Sequence, residues 1–357
     1  MDVHNAFLHD DLHKEIYMDI PPGLQRQKEN IVCLLQKSLH GLKQASRQWN
    51  EKFTKALTSN GFLQSEHDYA FFLKRKGNSF IALIIYIDDI LITGNDEVAI
   101  KSLKEHLNKH FHIKDLGEPK YFLGIEIARS HIGISLSQRK YVLELVSDSG
   151  LSGCKPSAIP VKQNSKLTTQ EYDKVASSIE IDPPLEDASH YQRLVSRLIY
   201  LTMTRPDISY AMHILSQFMH GPKHSHIDPA IKVIKYLKGC PGLGLLLPRN
   251  ADLDITANCD SDWGTCPMTR KSLTGFCIKL RGVLISWKTK RQSTVSLSSA
   301  EAEYRAMTKT TCEITWILRL LGDLGVQVKG PVQMYYDNKA TNDIATNPVF
   351  HDRTKHI

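Results

Sequence analysis

Two adjacent aspartates interrupt one of the most apolar stretches of this chain, "FIALIIYIDDILITG". A buried carboxylate without a partner is costly, so Asp88 and Asp89 must face solvent, be protonated or be neutralised by a cation. The isoleucine-rich flanks, Phe80 to Ile87 and Ile90 to Thr93, predict two buried strands joined by a two-residue turn at the aspartates. Such a hairpin presents both carboxylates at its tip, although a plain polar turn also fits the pattern.

A second group of carboxylates lies near the end of the chain. In "SLSSAEAEY" the spacing of Ser298 and Glu301 is that of a capping box, which gives Glu301 a structural role at a helix start. Glu303 instead falls on the apolar stripe of the same helix, where a carboxylate needs a partner. The stripe comprises Met307, Ile314, Ile317, Leu318 and Leu321.

Asp260 and Asp337 each follow a strand-like stretch, so they can meet Glu303 where a sheet edge adjoins the first turn of that helix. Three such carboxylates suit two divalent metal ions that bridge a phosphate. Helix capping or a solvated strand end explains each aspartate equally well when it is taken alone.

The elements that position the first group lie in residues 1–150, which alternate strand-like and helical patterns. Helices are predicted in "KSLHGLKQASRQWNEKFTKALTSNG", ending at Gly61, and in "EVAIKSLKEHLNKHF". The second helix places Val98, Leu103, Leu107 and Phe111 at helical spacing, and "YFLGIEIARSHIGISLSQ" reads as a hairpin. This region is predicted to be α+β with a mostly antiparallel sheet.

Three more regions follow. Residues 151–186 are rich in serine, proline and charge and predict a linker. Residues 187–250 are amphipathic and helical. Residues 251–357 return to strands, a long helix, a strand and a short helix, which predicts a separate α/β unit.

Composition restricts the class of protein. Hydrophobic residues make up 41% and charged residues 23% of the 357 positions, as in a soluble globular protein. The absence of a bilayer-length apolar run and of a signal peptide predicts an intracellular protein. The seven cysteines are widely spread without a Cys-x-x-Cys pair, which predicts reduced, mostly buried thiols and neither disulfides nor zinc. A formal charge of +7 permits a nucleic-acid partner.

Eight motifs in order carry a resemblance to a known family: "MDVHNAFLHDDLHKEIYM", "SLHGLKQASRQW", "YIDDILITG", "KDLGEPKYFLGIEI", "SRLIYLTMTRPDISYA", "CDSDWGTCPMTRKSLTGF", "SLSSAEAEYRAM" and "YYDNKAT". The chain resembles the reverse transcriptase and ribonuclease H portion of a Ty1/copia-type retrotransposon Pol polyprotein. The resemblance implies a polymerase palm in 1–150, a helical thumb or connection in 187–250 and a ribonuclease H-like domain in 251–357.

The resemblance also implies roles for individual residues. Asp2, Asp88 and Asp89 correspond to the palm aspartates that hold two Mg²⁺ ions, with Mn²⁺ as an alternative. Asp260, Glu303 and Asp337 correspond to three of the four ribonuclease H metal ligands. The nucleotide- or template-binding residues implied are Lys43, Gln44, Arg47 and Tyr86. The implied partners are an RNA template, a DNA primer, an RNA/DNA hybrid and deoxynucleoside triphosphates, in a cytoplasmic virus-like particle or in the nucleus.

The chain also departs from the family pattern. The fingers block before Asp2 and the segment after Ile357 are expected to be truncated, and neither Asp352 nor His356 is assigned as the fourth ligand. Asp10 and Ser196 replace glycine, while His40 and Ser46 replace tyrosine and proline. The alternative to an RNA-directed DNA polymerase with ribonuclease H activity is therefore an inactive remnant that at most binds hybrids. An integrase-like nuclease explains the Asp-Asp hairpin less well.

Overall fold

The computed structural model describes residues 1–9, 12, 14–21, 23, 31–162, 167–176, 182–249, 253–328 and 330–346. The chain divides into two compact units, the first comprising Met1–Leu123 with Arg319–Val326 and the second Gly124–Leu318 with Gln327–Ile357. The architecture is α+β with mainly antiparallel sheets, as predicted. The boundaries of the four regions proposed from the sequence stay a prediction.

Short strands and two helices make up residues 1–123. The strands are β1 (Asp2–Val3), β2 (Tyr17–Asp19), β3 (Val32–Leu34), β4 (Leu63–Gln64), β5 (Phe71–Lys76), β6 (Ser79–Tyr86), β7 (Asp89–Gly94), β8 (Ile113–Lys114) and β9 (Tyr121–Phe122). The helices are α1 (Ala45–Ser59) and α2 (Glu97–His110). An antiparallel sheet runs in the order β4-β5-β6-β7-β1-β8, and β2 pairs with β3.

Helix α1 is shorter than its sequence pattern predicts. It begins at Ala45 rather than near Lys37, and Gly41 upstream has φ +94, a left-handed conformation that a helix cannot contain. The helix ends as predicted at Gly61, which has φ +83. Its buried residues are Ala45, Trp49, Phe53, Ala56 and Leu57, spaced to form one face against the sheet core.

Helix α2 begins at a side-chain cap. The Asp96 carboxylate accepts a hydrogen bond from the Ala99 backbone N–H at 2.9 Å, which satisfies one of the free donors of the first turn. Leu103 and Leu107 are buried as predicted. The prediction that Val98 belongs to the same buried stripe is wrong. Val98 lies one residue after the helix start and is 80% exposed.

Helices dominate the chain between residues 124 and 249, and strands with two further helices follow. The helices are α3 (Arg139–Asp148), α4 (Gln170–Ala176), α5 (Ala188–Leu201), α6 (Ser209–Ser216), α7 (Ile227–Gly239), α8 (Ser299–Asp323) and α9 (Lys339–Thr346). The strands are β10 (Ile125–Arg129), β11 (Gly133–Ser137), β12 (Leu245–Pro248), β13 (Ile255–Asp262), β14 (Leu273–Leu280), β15 (Val283–Arg291) and β16 (Gln333–Tyr335). The predicted hairpin is β10–β11.

A buried charge cluster ties part of the predicted linker to the helical region. The Lys223 side chain is 2% exposed, and its Nζ bonds Asp173 on α4 and lies 3.1 Å from Asp182 Oδ2. Buried charges persist only when they are paired, so these carboxylates hold their segment against the helices. The sequence pattern gave no sign of this contact.

The last sheet is mixed and runs in the order β15-β14-β13-β16. Strands β13, β14 and β15 are antiparallel, whereas β13 and β16 are parallel, with Thr256 opposite Gln333. Helix α8 lies between β15 and β16 in the chain, as a crossover to a parallel strand requires. This arrangement is consistent with a ribonuclease H-like fold.

All seven cysteines lie in the described residues and are free. The expectation that most of them are buried is wrong, since only Cys259 and Cys266 are. Among the helices of the described residues, none combines the length and apolarity that crossing a bilayer requires.

Candidate active sites

The structure brings together the three carboxylates predicted near the end of the chain. Asp260 lies on β13, Asp337 follows the neighbouring parallel strand β16, and Glu303 lies in the first turns of α8. One oxygen from each of the three lies within 4.8 Å of the others. The parallel pairing of β13 and β16 places the two aspartates side by side, and α8 adds Glu303.

Glu303 is the buried member of this trio. Its side chain is only 4% exposed, and Oε1 accepts a hydrogen bond from the Ser261 backbone N–H at 2.9 Å. Oε2 is also buried and has no hydrogen-bond partner among the described residues. Burial, followed by the charges of Asp260 and Asp337, raises the pKa of Glu303 to about 7.

The environment of Glu303 fits a divalent cation. A buried carboxylate oxygen without a donor is costly, and a cation shared with Asp260 and Asp337 would satisfy it. Carboxylate oxygens are the ligands that Mg²⁺ prefers in proteins. Asp262 lies on the same face of β13, and burial and the charge of Asp260 raise its pKa, but it is not part of the trio.

Glu301 has the structural role predicted for it. Ser298 Oγ accepts a hydrogen bond from the Glu301 N–H at 3.1 Å, as a helix N-cap does. Glu301 Oε2 accepts from the Leu297 N–H at 2.7 Å, one residue before the predicted partner, and Oε1 accepts from Arg305 Nη2 at 2.8 Å. The sequence therefore distinguished the two glutamates correctly by helical position.

The Asp-Asp hairpin forms as predicted, but its turn is shifted by one residue. Strands β6 and β7 pair with Tyr86 opposite Asp89, so the turn residues are Ile87 and Asp88. Asp88 is exposed at the tip, while Asp89 is the first residue of β7 and is partly buried.

Asp2 lies next to this hairpin because β1 pairs with β7. Strand β1 lies between β7 and β8, with Asp2 opposite Asp89, and the Val3 N–H donates to the Asp88 carbonyl at 2.8 Å. Burial, followed by the charges of Asp88 and Asp2, raises the pKa of Asp89. Among the described residues these three carboxylates do not form a group at the 4.8 Å spacing of the Glu303 trio.

The hairpin turn is strained and is supported from α1. Ile87 has φ +55, a left-handed conformation that is unfavourable for a β-branched residue. The buried Trp49 donates a hydrogen bond from Nε1 to the Ile87 carbonyl at 2.7 Å. Trp49 lies in the quoted "SLHGLKQASRQW" motif, but its link to the turn was not predicted.

The residues implied in nucleotide or template binding lie mostly at the surface. Lys43 is exposed, and Gln44 occupies the N-cap position of α1 without a side-chain cap. Arg47 is exposed and bonds Glu51 through Nε at 3.2 Å. Tyr86 is 57% exposed. Their binding roles stay predictions.

Ser261 and Gln292 support the Glu303 site and were missed from the sequence. Gln292 Nε2 donates to Ser261 Oγ at 3.3 Å and to the Ala302 carbonyl at 2.9 Å. No spacing or composition distinguishes Gln292, because its role arises only from folding. Asp10, Asp352 and His356 lie outside the described residues.

Comparisons with known proteins agree with the motifs. The family "Reverse transcriptase (RNA-dependent DNA polymerase)" matches residues 1–163. The putative transposon Ty5-1 protein of Saccharomyces cerevisiae is 30% identical over 320 residues, which cover 88% of this chain and 100% of that relative. The retrovirus-related Pol polyprotein from transposon RE1 of Arabidopsis thaliana is 39% identical over 358 residues, which cover 100% of this chain and 24% of that relative. The chain belongs to the Ty1/copia-type family of retrotransposon Pol polyproteins.

The resemblance inferred from the motifs is thereby confirmed. The Pol polyprotein from transposon TNT 1-94 of Nicotiana tabacum is 36% identical over 361 residues, which cover 100% of this chain and 27% of that relative. The chain thus spans about a quarter of the RE1 and TNT 1-94 polyproteins. A reverse transcriptase domain of the Ty1/copia Pol family implies binding of nucleic-acid template and primer and the general use of divalent metal ions.

Proposed function

We propose that this chain performs two phosphoryl-transfer reactions, RNA-directed DNA synthesis and ribonuclease H cleavage of the RNA in an RNA/DNA hybrid. The observation that carries the ribonuclease H assignment is the convergence of Asp260, Glu303 and Asp337 from two parallel strands and a helix. The observation that supports the polymerase assignment is the family match over residues 1–163.

In the ribonuclease H-like domain, Asp260, Glu303 and Asp337 would hold Mg²⁺. When bound, two such ions supply an activated water and stabilise the leaving oxygen of the scissile phosphate. The Ser261 N–H fixes Glu303 Oε1, so that the buried Oε2 is the atom left to face a cation. Gln292 orders Ser261 and thereby positions this carboxylate.

In the palm, Asp2, Asp88 and Asp89 would hold the metal ions that orient the primer hydroxyl and the incoming deoxynucleoside triphosphate. The β1–β7 pairing supports this assignment because it places the Asp2 backbone opposite that of Asp89. Trp49 holds the Ile87 carbonyl and so orients the turn that carries Asp88. We assign the helices between residues 187 and 250 to the thumb or connection.

The test uses the full chain with Mg²⁺, the four deoxynucleotides and an end-labelled RNA annealed to a DNA primer. Primer extension and RNA cleavage are measured in the same reaction. Asp260→Asn should abolish cleavage and spare extension, whereas Asp89→Asn should do the reverse. Loss of both activities in either variant would contradict two separate sites.

Two matched variants control for the loss of a carboxylate. Glu301→Gln removes a carboxylate two residues before Glu303 in α8, at a residue that Arg305 already holds. Asp96→Asn removes a carboxylate at the open end of the β6–β7 hairpin, opposite its turn, and asparagine caps a helix as well as aspartate does. Both controls should retain both activities. If the folded wild-type chain shows neither primer extension nor RNA cleavage, the proposal is refuted and hybrid binding is the remaining function.

A further inference from the structure

A groove between β15 and α8, on the helix-facing side of the last sheet, has no role so far. It has a volume of about 520 Å³, and none of the three carboxylates lines it. We call it the β15–α8 groove. Its lining residues with charged side chains are Lys288, Lys290, Arg291, Arg305, Lys309 and Glu313.

The strand wall of the groove carries two exposed lysines. Lys288 and Lys290 are separated by two positions on β15, so they share a face and lie about 6.6 Å apart along the strand. Ser286 precedes them on the same face, and its Oγ donates to Glu313 Oε1 on α8 at 2.8 Å. This contact shows that the face bearing the lysines is turned toward the helix.

The helix wall carries a second pair of cations. Arg305 and Lys309 are four positions apart on α8, or about 6 Å along its axis. Arg305 is fixed in place because its Nε and Nη2 bond Glu301 Oε1 at 3.0 and 2.8 Å. Across the described residues, no carboxylate oxygen lies within 4.0 Å of the Lys288, Lys290 or Lys309 ammonium.

These features match the chemistry of a phosphodiester backbone. Both walls repeat their cations at a spacing close to that of successive phosphates along a nucleic-acid strand. The acidic lining residue, Glu313, accepts from Ser286, so the groove is otherwise positive. Cations in such a groove gain free energy by releasing the counterions condensed on nucleic acid.

One lining residue of the groove is connected to Glu303 by hydrogen bonds. Gln292 lines the groove and donates to Ser261 Oγ, and the Ser261 N–H donates to Glu303 Oε1. We propose that the β15–α8 groove binds the sugar-phosphate backbone of a nucleic acid without reading its sequence, which deepens the proposed ribonuclease H function.

The test measures binding separately from cleavage. The full chain binds a fluorescein-labelled RNA/DNA hybrid in EDTA, and fluorescence anisotropy gives the affinity at several salt concentrations. The variant Lys288→Gln/Lys290→Gln/Lys309→Gln should bind about tenfold or more weakly. Its slope of log affinity against log salt should be shallower by about 2 to 3, because each lost phosphate contact removes about 0.7 to 0.9.

A matched variant removes the same charge elsewhere in the second unit. Lys140→Gln/Lys174→Gln/Lys232→Gln, on α3, α4 and α7, should keep the wild-type slope. Lys288→Arg/Lys290→Arg/Lys309→Arg should also keep it, which separates the loss of charge from a defect in folding. A wild-type slope in the glutamine variant of the groove would overturn the proposal, as would equal losses in both glutamine variants.

Cleavage by the wild-type chain in Mg²⁺ distinguishes this proposal from the proposed function. A wild-type chain that cleaves the hybrid, together with a groove variant that binds normally, would refute the groove alone. A groove variant with a shallower slope, together with a wild-type chain that never cleaves, would support the groove and refute the ribonuclease. Asp260→Asn should bind with the wild-type slope in EDTA.

Discussion

Replacing Glu303 by glutamine should stabilise the protein in the absence of metal. The pKa of Glu303 is raised from 4.5 to about 7, so the folded state binds its proton more tightly than the unfolded state does. The stability lost at high pH is about 3 kcal/mol, since each pKa unit corresponds to about 1.4 kcal/mol. The loss begins above pH 4.5 and is complete above about pH 7.

Glu303→Gln removes the charge and keeps the shape. Its amide oxygen can still accept from the Ser261 N–H, and its NH₂ group can donate toward Asp260 and Asp337. We expect the metal-free variant to gain about 1 to 3 kcal/mol near pH 8 and close to nothing near pH 4, where wild-type Glu303 is protonated. Mg²⁺ should stabilise the wild type and narrow the difference, because a ligand bound only to the folded state shifts the equilibrium.

Hydrogen exchange of the full chain in EDTA, followed in peptides from β13 and α8, measures this local stability without assuming two-state unfolding. Glu301→Gln is the matched control, and it should lose about 1 to 2 kcal/mol because its charge is paired with Arg305. A destabilised Glu303→Gln near pH 8 would refute the reasoning. An equal gain at both pH values would show that the cause is packing rather than charge.

Three further changes test the supports of the two units. Trp49→Phe should lower the free energy of unfolding in urea by about 1 to 3 kcal/mol and slow primer extension, because the Ile87 carbonyl loses its donor. Unchanged primer extension would contradict a positioning role for Trp49. Ile87→Gly should leave stability unchanged or raise it by up to about 1 kcal/mol, because glycine tolerates φ +55, and a clear loss would contradict strain there. Lys223→Met should lower the free energy of unfolding by about 3 to 5 kcal/mol, because Asp173 and Asp182 lose their cation. Replacing both aspartates by asparagine in that variant should restore much of the lost stability. A larger loss in the triple variant would disprove the pairing.

Local patterns predicted the parts of the sites that depend on one element. The helical period of α8 distinguished Glu303, which lies with Asp260 and Asp337, from the capping Glu301, and isoleucine-rich apolar runs predicted the β6–β7 hairpin. The predicted turn was wrong by one residue, because a pattern of apolar residues cannot show that Ile87 adopts a left-handed conformation.

Other contacts between distant elements could not be predicted from the sequence. Strand β1 has only two residues, too few to show a period, and its partner Asp89 lies far along the chain. The burial of Lys223 was not predicted, because only folding brings Asp173 and Asp182 to it. The Gln292–Ser261–Glu303 link has the same origin.

The position of β1 between β7 and β8 also determines when the first sheet can be completed during protein synthesis. Strands β4 to β7 pair with neighbours in the chain, so this meander can form as soon as its residues leave the ribosome. Strand β1 is translated before both of its partners, so its edges stay unpaired until Asp89 on β7 and Ile113–Lys114 on β8 have emerged. Asp2 can therefore join Asp89 once β7 has emerged, and the sheet is complete only after β8, the last of its strands in the chain, has emerged.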